Sequence, residues 1–334
     1  MKILYVGDDW LGSNARSLAD GFRQAGHEVV VIDSTPVTLP VRLSPGWLYS
    51  KVADRRAPWT TAAVHAEIDS AASVFEPDMV FGFKTVHLDQ ERLLNVPAAL
   101  HVHYSPDDVS NAENTSADYL AYESAWDLVV TTKRHNVSEL LARGSRDVKF
   151  VRSAYDPAWH HPCARRGTRH FLAGFIGARR PDRTALMIDL AHEYGPRFLV
   201  RGPGWRRVRQ LRASSAEVGG AVYGQRFAAS VASITANLVL LNSDNRDTHT
   251  CRTFEVPAAG GLFVGPRTEE HTELLDDRSE CFLYSDRAEL REILARCASR
   301  PDTAAQVAAA GYRRIARGRH RYVDRAEEII DALT

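Results

Sequence analysis

Residues 237–265 read NLVLLNSDNRDTHTCRTFEVPAAGGLFVG. The apolar run NLVLLN (237–242) predicts a β-strand, and a polar loop and a short alanine-rich helix connect it to a second apolar run, GLFVG (261–265). Continuous apolar strands that alternate with helices indicate a parallel sheet covered on both faces. The stretch therefore predicts an α/β fold, with the acid Glu255 at the beginning of a buried helix just past a strand end.

The same alternation extends through the rest of the chain. In the first half, the predicted strands are KILYVG (2–7), EVVVID (28–33), DMVFGF (78–83), AALHVHY (98–104), DLVVTT (127–132) and VKFVRS (148–153). In the second half, further strands are predicted at HFLAGFIG (170–177), RFLVRG (197–202), AVYG (221–224) and CFLY (281–284). A helix follows the first strand and ends at Gly26. Three more helices are predicted near the C-terminus, at 288–299, 303–318 and 322–333.

The alternation breaks at SAYDPAWHHPCARRGTR (153–169), which has no periodicity and is predicted to be an interdomain linker. A chain of 334 residues is long enough for two domains, since a single core rarely grows that large. We therefore expect an N-terminal Rossmann-like domain at 1–155 and a second one at 170–318. Two such domains facing each other would form a cleft.

Composition narrows the class of protein. Lysine plus arginine equals aspartate plus glutamate, at 42 each, which argues against a nucleic-acid binder that relies on its global field. The arginine-rich stretch RGPGWRRVRQLR (201–212) is either a solvated helix face or a polyanion site. The four cysteines form no C-x-x-C pair, and the sequence shows no secretory signature and no apolar run of about 18 residues. A cytoplasmic protein with reduced thiols and no transmembrane segment is expected.

Ligands of open α/β sheets bind outside the carboxyl ends of the strands, so residues that follow strands are site candidates. The first such loop, GDDWLGSNARS (7–17), contains Gly12, which allows a tight turn, and Ser13, which with Asn14 is a candidate helix cap. The loop lacks the G-x-G-x-x-G pattern of dinucleotide-binding folds. It is interpreted either as a ligand loop or as a plain turn.

Arginines cluster after the predicted strand at 170–177. Arg179, Arg180 and Arg183 lie at the beginning of the next helix, where the positive end of the helix dipole disfavours cations. A bound diphosphate would explain them, because guanidinium groups and helix N–H groups both bind phosphate oxygens. Alternatively, the three side chains point into solvent.

Glu255 has two interpretations of its own. An acid at a helix start complements the dipole, and a carboxylate there is also able to accept hydrogen bonds from the two hydroxyls of a nucleotide ribose. Asp247 lies eight residues earlier, in the polar loop that would cover a sugar. Asn242 at the strand end, with Thr250 and Arg252, adds hydrogen-bonding groups.

The run HVHYSPDD (101–108) supplies candidates for a general base. His103 lies near the carboxyl end of its strand, and Asp107 and Asp108 follow in the loop; the sequence does not choose among them. The run HHPC (160–163) has no matching second pair of ligands, so no metal site is expected.

Several stretches of the second half carry a resemblance to a known family. In order they are FIGARRPDR (175–183), VYGQ (222–225), LVLLNSD (238–244), CRTFEVPAAGGLFV (251–264), YSDRAELREIL (284–294) and AAAGYRRIARGRHRYVDRAEEII (308–330). This half resembles the glycosyltransferase-like domain of the CgeB spore maturation protein family, which is similar to the group 1-type glycosyltransferases of GT-B fold. The first half resembles the family more loosely, through ILYVG, the turn at 26–33 and the SPDD loop.

The resemblance implies a GT-B fold, in which two Rossmann-like domains face a cleft. The domain at 1–155 would bind the acceptor, the domain at 170–318 would bind the nucleotide-sugar donor, and a final helix at 319–334 would cross back to the first domain.

It also implies roles for residues. Glu255 matches the second acid of the family's E-x7-E pair, which holds the ribose. Asp247 takes the place of the first acid, which faces the transferred sugar, and is one methylene shorter than the usual glutamate. Arg179 or Arg180, together with Arg183, would bind the diphosphate. Residues from Tyr223 to Gln225 would face the nucleobase.

The expected function is that of a bacterial, hexosyltransferase-like glycosyltransferase that uses no metal and no cofactor. A UDP- or dTDP-sugar would be the donor, and a small molecule, a glycan or a protein would be the acceptor. Likeness to group 1 favours retention of configuration. Two alternatives are a GT-B-fold sugar-nucleotide epimerase and a non-catalytic sugar-nucleotide-binding assembly protein.

Overall fold

Six parallel strands form the sheet of the first of two units in the computed structural model. The structure describes residues 1–35, 45–46, 48–49, 58–163 and 170–333, so residues 164–169 of the predicted linker lie outside the described residues. Unit 1 comprises Met1–Arg152 and Tyr322–Thr334, and unit 2 comprises Ser153–Arg321. The predicted α/β class is confirmed in both units.

The strand order in unit 1 is β2-β1-β3-β4-β5-β6. The strands are β1 (Lys2–Gly7), β2 (Glu28–Asp33), β3 (Met79–Phe83), β4 (Leu100–Ser105), β5 (Leu128–Thr131) and β6 (Val148–Phe150). Its helices include α1 (Asn14–Gln24), α2 (Pro58–Phe75), α3 (Gln90–Leu94), α4 (Ala117–Tyr122) and α5 (Arg134–Ala142). Helix α1 begins at the cap residue Ser13, and Gly26, with φ of +89°, follows its end as the sequence predicts.

The sheet of unit 2 has the order β12-β11-β10-β7-β8-β9, and every pair is parallel. The strands are β7 (Phe171–Ile176), β8 (Phe198–Arg201), β9 (Glu217–Gly219), β10 (Ile234–Leu238), β11 (Leu262–Pro266) and β12 (Phe282–Tyr284). Its helices are α6 (Pro181–Tyr194), α7 (Arg209–Ala213), α8 (Gln225–Ala232), α9 (Cys251–Ala258), α10 (Glu269–Leu274), α11 (Arg287–Ser299) and α12 (Pro301–Arg317).

Two strand predictions in unit 2 are wrong in detail. AVYG (221–224) is not a strand; the strand is β9, immediately before it, and the chain then turns at Gly224, whose φ is +54°. NLVLLN (237–242) contains only the end of β10, which begins at Ile234 and finishes at Leu238. Apolar content extended the predicted strand too far, since residues 239–241 are apolar but follow the end of β10.

The last helix, α13 (Tyr322–Asp331), belongs to unit 1 and packs against α1. Gly21 makes this contact possible, because a Cβ at that position would lie 2.6 Å from the carbonyl oxygen of Tyr322. The end of the chain is therefore part of the first unit. In the part of the chain that the structure describes, no helix is long and apolar enough to cross a membrane.

Replacing Gly21 with alanine is expected to lower the free energy of unfolding of unit 1 by about 1–3 kcal/mol, since the added methyl group would meet backbone atoms that have no room to move. Urea-induced unfolding measures the change. Gly220→Ala is the control, because a Cβ there meets nothing within 4 Å, and its effect should stay within about 0.5 kcal/mol. Equal stability of the two variants would contradict the close packing of α1 and α13.

Candidate functional site

The sheet of unit 2 has a point where neighbouring strands send their connections to opposite faces. Strands β7 and β10 are adjacent, and they continue into α6 and α9 respectively. Helix α6 packs in the core cluster that contains Phe175, whereas α9 packs in the cluster that contains the next strand residue, Ile176. The loops at 177–180 and 239–250 thus diverge at the carboxyl edge. Such a crevice is where open α/β folds bind ligands.

Glu255 lies on α9 at this crevice and is buried. Only 4% of its side chain is exposed, and its carboxylate forms an ion pair with Arg252 one turn earlier. The Arg252 guanidinium lies 4.6 Å from the centre of the Phe227 ring, and its Nε donates to the carbonyl oxygen of Ile176 at 3.2 Å. Arg252 therefore joins α9 to the end of β7. A carboxylate this deeply buried requires such a partner.

His160 is a second neighbour of Glu255 that the sequence did not predict. Its Nε2 lies 3.6 Å from Glu255 Oε1, and its ring packs edge-on against Phe227 with 5.4 Å between ring centres. Burial, followed by the charge of Arg252, lowers the pKa of His160 to about 3, so the imidazole is neutral near pH 7. In the sequence, this residue stands out only as part of the HHPC run at 160–163.

Arg183, one of the three arginines predicted to bind a diphosphate, contacts Asn242. Arg183 Nη2 donates to the side-chain oxygen of Asn242 and, at 3.2 Å, to the carbonyl oxygen of Leu241. Its guanidinium carbon lies 5.3 Å from the centre of the Phe175 ring, and burial lowers the pKa of Arg183. Arg183 thus fixes the loop after β10 on the α6 side of the sheet.

The other two arginines of this cluster are nearer the surface. Arg180 is the N-cap residue of α6 and forms an ion pair with Asp244, while the side chain of Arg179 is exposed. The backbone N–H of Arg179 donates to Pro203 O at 3.0 Å. The expected conflict with the helix dipole is partly relieved, because Asp244 neutralises one of the cations.

Asp247 is engaged by its own loop. Its carboxylate accepts from the backbone N–H of Asn242 at 3.1 Å and from the Asn245 side chain at 2.9 Å. Thr250 is the N-cap residue of α9, and its backbone N–H donates to Thr253 Oγ1 at 3.2 Å. The loop that would cover a sugar is therefore internally hydrogen-bonded.

The predicted nucleobase-facing residues lie at the beginning of α8. The side chains of Tyr223 and Gln225 are exposed, and Tyr223 is 46% exposed. Between them, Gly224 lies under the ring of Trp159, which a Cβ at Gly224 would meet at 2.9 Å. Both side chains are therefore accessible to solvent.

The three candidate bases have different environments in unit 1. His103 is fully buried, with its ring centre 4.5 Å from that of Tyr119 and 5.2 Å from that of Trp126, and burial lowers its pKa to about 3. Asp108 is 2% exposed and accepts from Asn136 Nδ2 at 2.9 Å. His103 is thus a core residue, and Asp108 holds two segments together.

Asp107 has a different environment, since 26% of its side chain is exposed and it forms an ion pair with Lys84. Lys84 follows β3 with φ of +53°, a conformation that non-glycine residues adopt rarely and that often marks a functional position. Gly12, with φ of +95°, and Ser13, which caps α1, lie at the same edge of the unit 1 sheet. No sequence pattern marks Lys84 as a site residue.

Comparison with known proteins provides a match to a family model over part of the chain, and a fold. Residues 179–331 match the family model described as glycosyl transferase-like. Sucrose-phosphate synthase from Thermosynechococcus elongatus superposes with a TM-score of 0.71 at 11% identity, over 99% of this chain and 98% of that chain. HepE from Anabaena in complex with UDP-glucose superposes with a TM-score of 0.65 at 14% identity, over 100% and 99%. The chain has the GT-B fold.

The GT-B fold alone leaves the reaction open. UDP-GlcNAc 2-epimerase from Neisseria meningitidis bound to UDP-GlcNAc is also similar, with a TM-score of 0.56 at 11% identity over 100% of this chain and 99% of that chain. Comparison with curated protein sequences gave no match. A fold shared by a synthase and an epimerase does not select between their reactions, so function has to be argued from the site.

Proposed function

We propose that this GT-B chain transfers a hexose from a nucleoside-diphosphate sugar to an acceptor hydroxyl, as a CgeB-like glycosyltransferase. One observation carries the proposal: the buried carboxylate of Glu255, paired with Arg252, lies at the crevice between β7 and β10 within the glycosyl transferase-like stretch. A buried acid at that point suits the two hydroxyls of a ribose.

Donor binding would exchange one ion pair for two new contacts. The Arg252 guanidinium covers the Glu255 carboxylate and is itself 31% exposed, so it is able to swing outward. The ribose hydroxyls would then bind Glu255, and the released guanidinium would bind the diphosphate. UDP is the proposed nucleotide, in line with the UDP-glucose and UDP-GlcNAc held by two similar structures.

The leaving diphosphate would be stabilised without a metal ion. Arg179 and Arg180 lie at the beginning of α6, whose N–H groups face the same edge of the sheet. Helix N–H groups and guanidinium groups together neutralise developing negative charge on phosphate oxygens. Arg183 would act indirectly, by fixing Asn242 and the loop after β10.

The acceptor side is proposed to use Asp107. Of the three candidate bases it is the one with a partly exposed side chain, and Lys84 forms an ion pair with its carboxylate. An inverting reaction needs a base there, whereas a retaining reaction can pass the acceptor proton to the leaving phosphate. Likeness to group 1 favours retention, which the anomeric configuration of the product reports.

The experiment that tests the proposal follows the fate of the sugar. The protein is incubated with UDP-glucose, UDP-GlcNAc or dTDP-glucose in the presence of EDTA, with and without a panel of sugar, phenol and peptide acceptors, and the mixture is analysed by NMR. We expect nucleoside diphosphate to be released faster with an acceptor, and a glycosylated product to appear. Epimerised nucleotide sugar without any acceptor would instead identify an epimerase. Binding without turnover would identify a non-catalytic binding protein.

A further inference from the structure

The segment just before the unit 2 sheet packs beside the Glu255 carboxylate. Within residues 155–163, the Trp159 ring covers Gly224, and Pro162 lies beside Gly260. A Cβ added at Gly260 would lie 3.4 Å from the Cβ of Pro162. These contacts fix the segment against the beginning of α8 and the end of α9. His160 lies between the two anchors, so its position is determined by packing on both sides.

The hydrogen bonds of His160 define its tautomer. The backbone N–H of Asp156 donates to Nδ1 at 3.0 Å, so Nδ1 carries no proton and the neutral ring must carry its proton on Nε2. Nε2 faces Glu255 Oε1 at 3.6 Å, while Glu255 Oε2 is bound by Arg252. The two oxygens of the carboxylate therefore have different neighbours, a neutral imidazole and a guanidinium cation.

We infer that His160 is a positioning residue that holds the Glu255 carboxylate for a ribose diol, and that the donor is consequently a ribonucleotide such as UDP rather than dTDP. The inference rests on the proposed function. When Arg252 leaves, His160 remains as the neighbour that prevents rotation of the carboxylate. A fixed carboxylate is able to accept from both ribose hydroxyls at once, whereas a rotating one loses the second bond. The 2′-hydroxyl is the group that dTDP lacks.

Neutrality suits His160 to this role. A protonated imidazole would be a second cation beside Arg252 and would compete with the ribose for the carboxylate. The lowered pKa of His160 keeps the ring uncharged across the physiological range, so it orients Glu255 without neutralising it. A neutral second neighbour that fixes a functional group is the usual arrangement around ligand-binding side chains.

Two variants separate the hydrogen bond of His160 with Asp156 from its contact with Glu255. In His160→Asn, the side-chain oxygen replaces Nδ1 as the acceptor for Asp156, but no donor reaches Glu255. In His160→Gln, the longer side chain brings an amide N–H to the position of Nε2. His161→Asn is the control, because His161 is the exposed neighbour. Affinities for UDP and 2′-deoxy-UDP are measured by titration calorimetry for each protein, and melting curves establish that each is folded.

We expect wild type and His161→Asn to bind UDP at least about 10-fold more tightly than 2′-deoxy-UDP, the effect of one hydrogen bond to a carboxylate. In His160→Asn this ratio should fall to about 3 or less while the affinity for 2′-deoxy-UDP is retained, and His160→Gln should restore most of it. An unchanged ratio in His160→Asn, or an equal loss for both nucleotides, overturns the inference. Wild type that binds neither nucleotide overturns the proposed UDP donor and the inference together.

Discussion

Glu255→Ala is expected to weaken UDP binding by about 100-fold. The carboxylate would accept two hydrogen bonds from the ribose, and hydrogen bonds to charged groups contribute about 1.5–3 kcal/mol each, so about 3 kcal/mol is a conservative sum. The variant also leaves Arg252 without its partner, but that side chain is 31% exposed and is able to reach water. Titration calorimetry with UDP measures the loss.

The matched control for Glu255→Ala is Glu292→Ala, since Glu292 is exposed on α11 of the same unit. It should leave UDP affinity within a factor of about two. Thermal melting with saturating UDP gives an independent readout, because a ligand at 100 times its dissociation constant stabilises the folded state by about 2.7 kcal/mol. If the Glu255→Ala protein is folded and binds UDP with wild-type affinity, Glu255 does not bind the ribose.

Arg252→Ala is expected to lower the stability of unit 2 by about 3 kcal/mol or more. Removing Arg252 leaves the Glu255 carboxylate, which is 4% exposed in the ion pair, without the positive charge that compensates it. The substitution also removes the contact over the Phe227 ring and the hydrogen bond to Ile176 O. Urea-induced unfolding, followed by tryptophan fluorescence, to which the buried Trp205 of this unit contributes, measures the loss.

A double-mutant cycle isolates the charge effect. Glu255→Gln removes the negative charge. Arg252→Ala in the Glu255→Gln background should therefore lower the free energy of unfolding clearly less than it does in wild type. Arg206→Ala, at an exposed position of the same unit, is the control and should change stability by no more than about 0.5 kcal/mol. If Arg252→Ala lowers the free energy of unfolding equally with glutamate and with glutamine at position 255, the ion pair stabilises the unit through packing and not through charge.

The sequence predicts most of the architecture because parallel strands buried on both faces appear as continuous apolar runs. Strand β1 and its neighbours β2 and β3 lie within a residue or two of their predicted positions. The short edge strand β9 has the sequence EVG, which carries no such pattern, and the prediction moved to the more apolar AVYG. Edge strands of three residues hold few buried side chains, so composition identifies them poorly.

The site is less predictable, because its contacts join residues far apart in the chain. The helical spacing of Arg252 and Glu255 is readable, yet their burial depends on Phe227 and on the segment that contains His160. His103 illustrates the opposite error, since a histidine near a strand end has the same sequence pattern whether it faces solvent or Trp126. Long-range packing decides such cases, and a local pattern does not record it.

The discontinuity of unit 1 affects how the protein is synthesised. The segment that completes this unit, α13, leaves the ribosome only after the roughly 170 residues of unit 2, which takes about 10–30 s at common translation rates. During that interval the nascent chain exposes the surface around Gly21 that Tyr322 later covers. Unit 2 is contiguous and is able to fold as soon as it emerges. Synthesis of unit 2 is therefore finished before synthesis of unit 1 is complete. The order in which the two units become able to fold is the reverse of the usual N-to-C order.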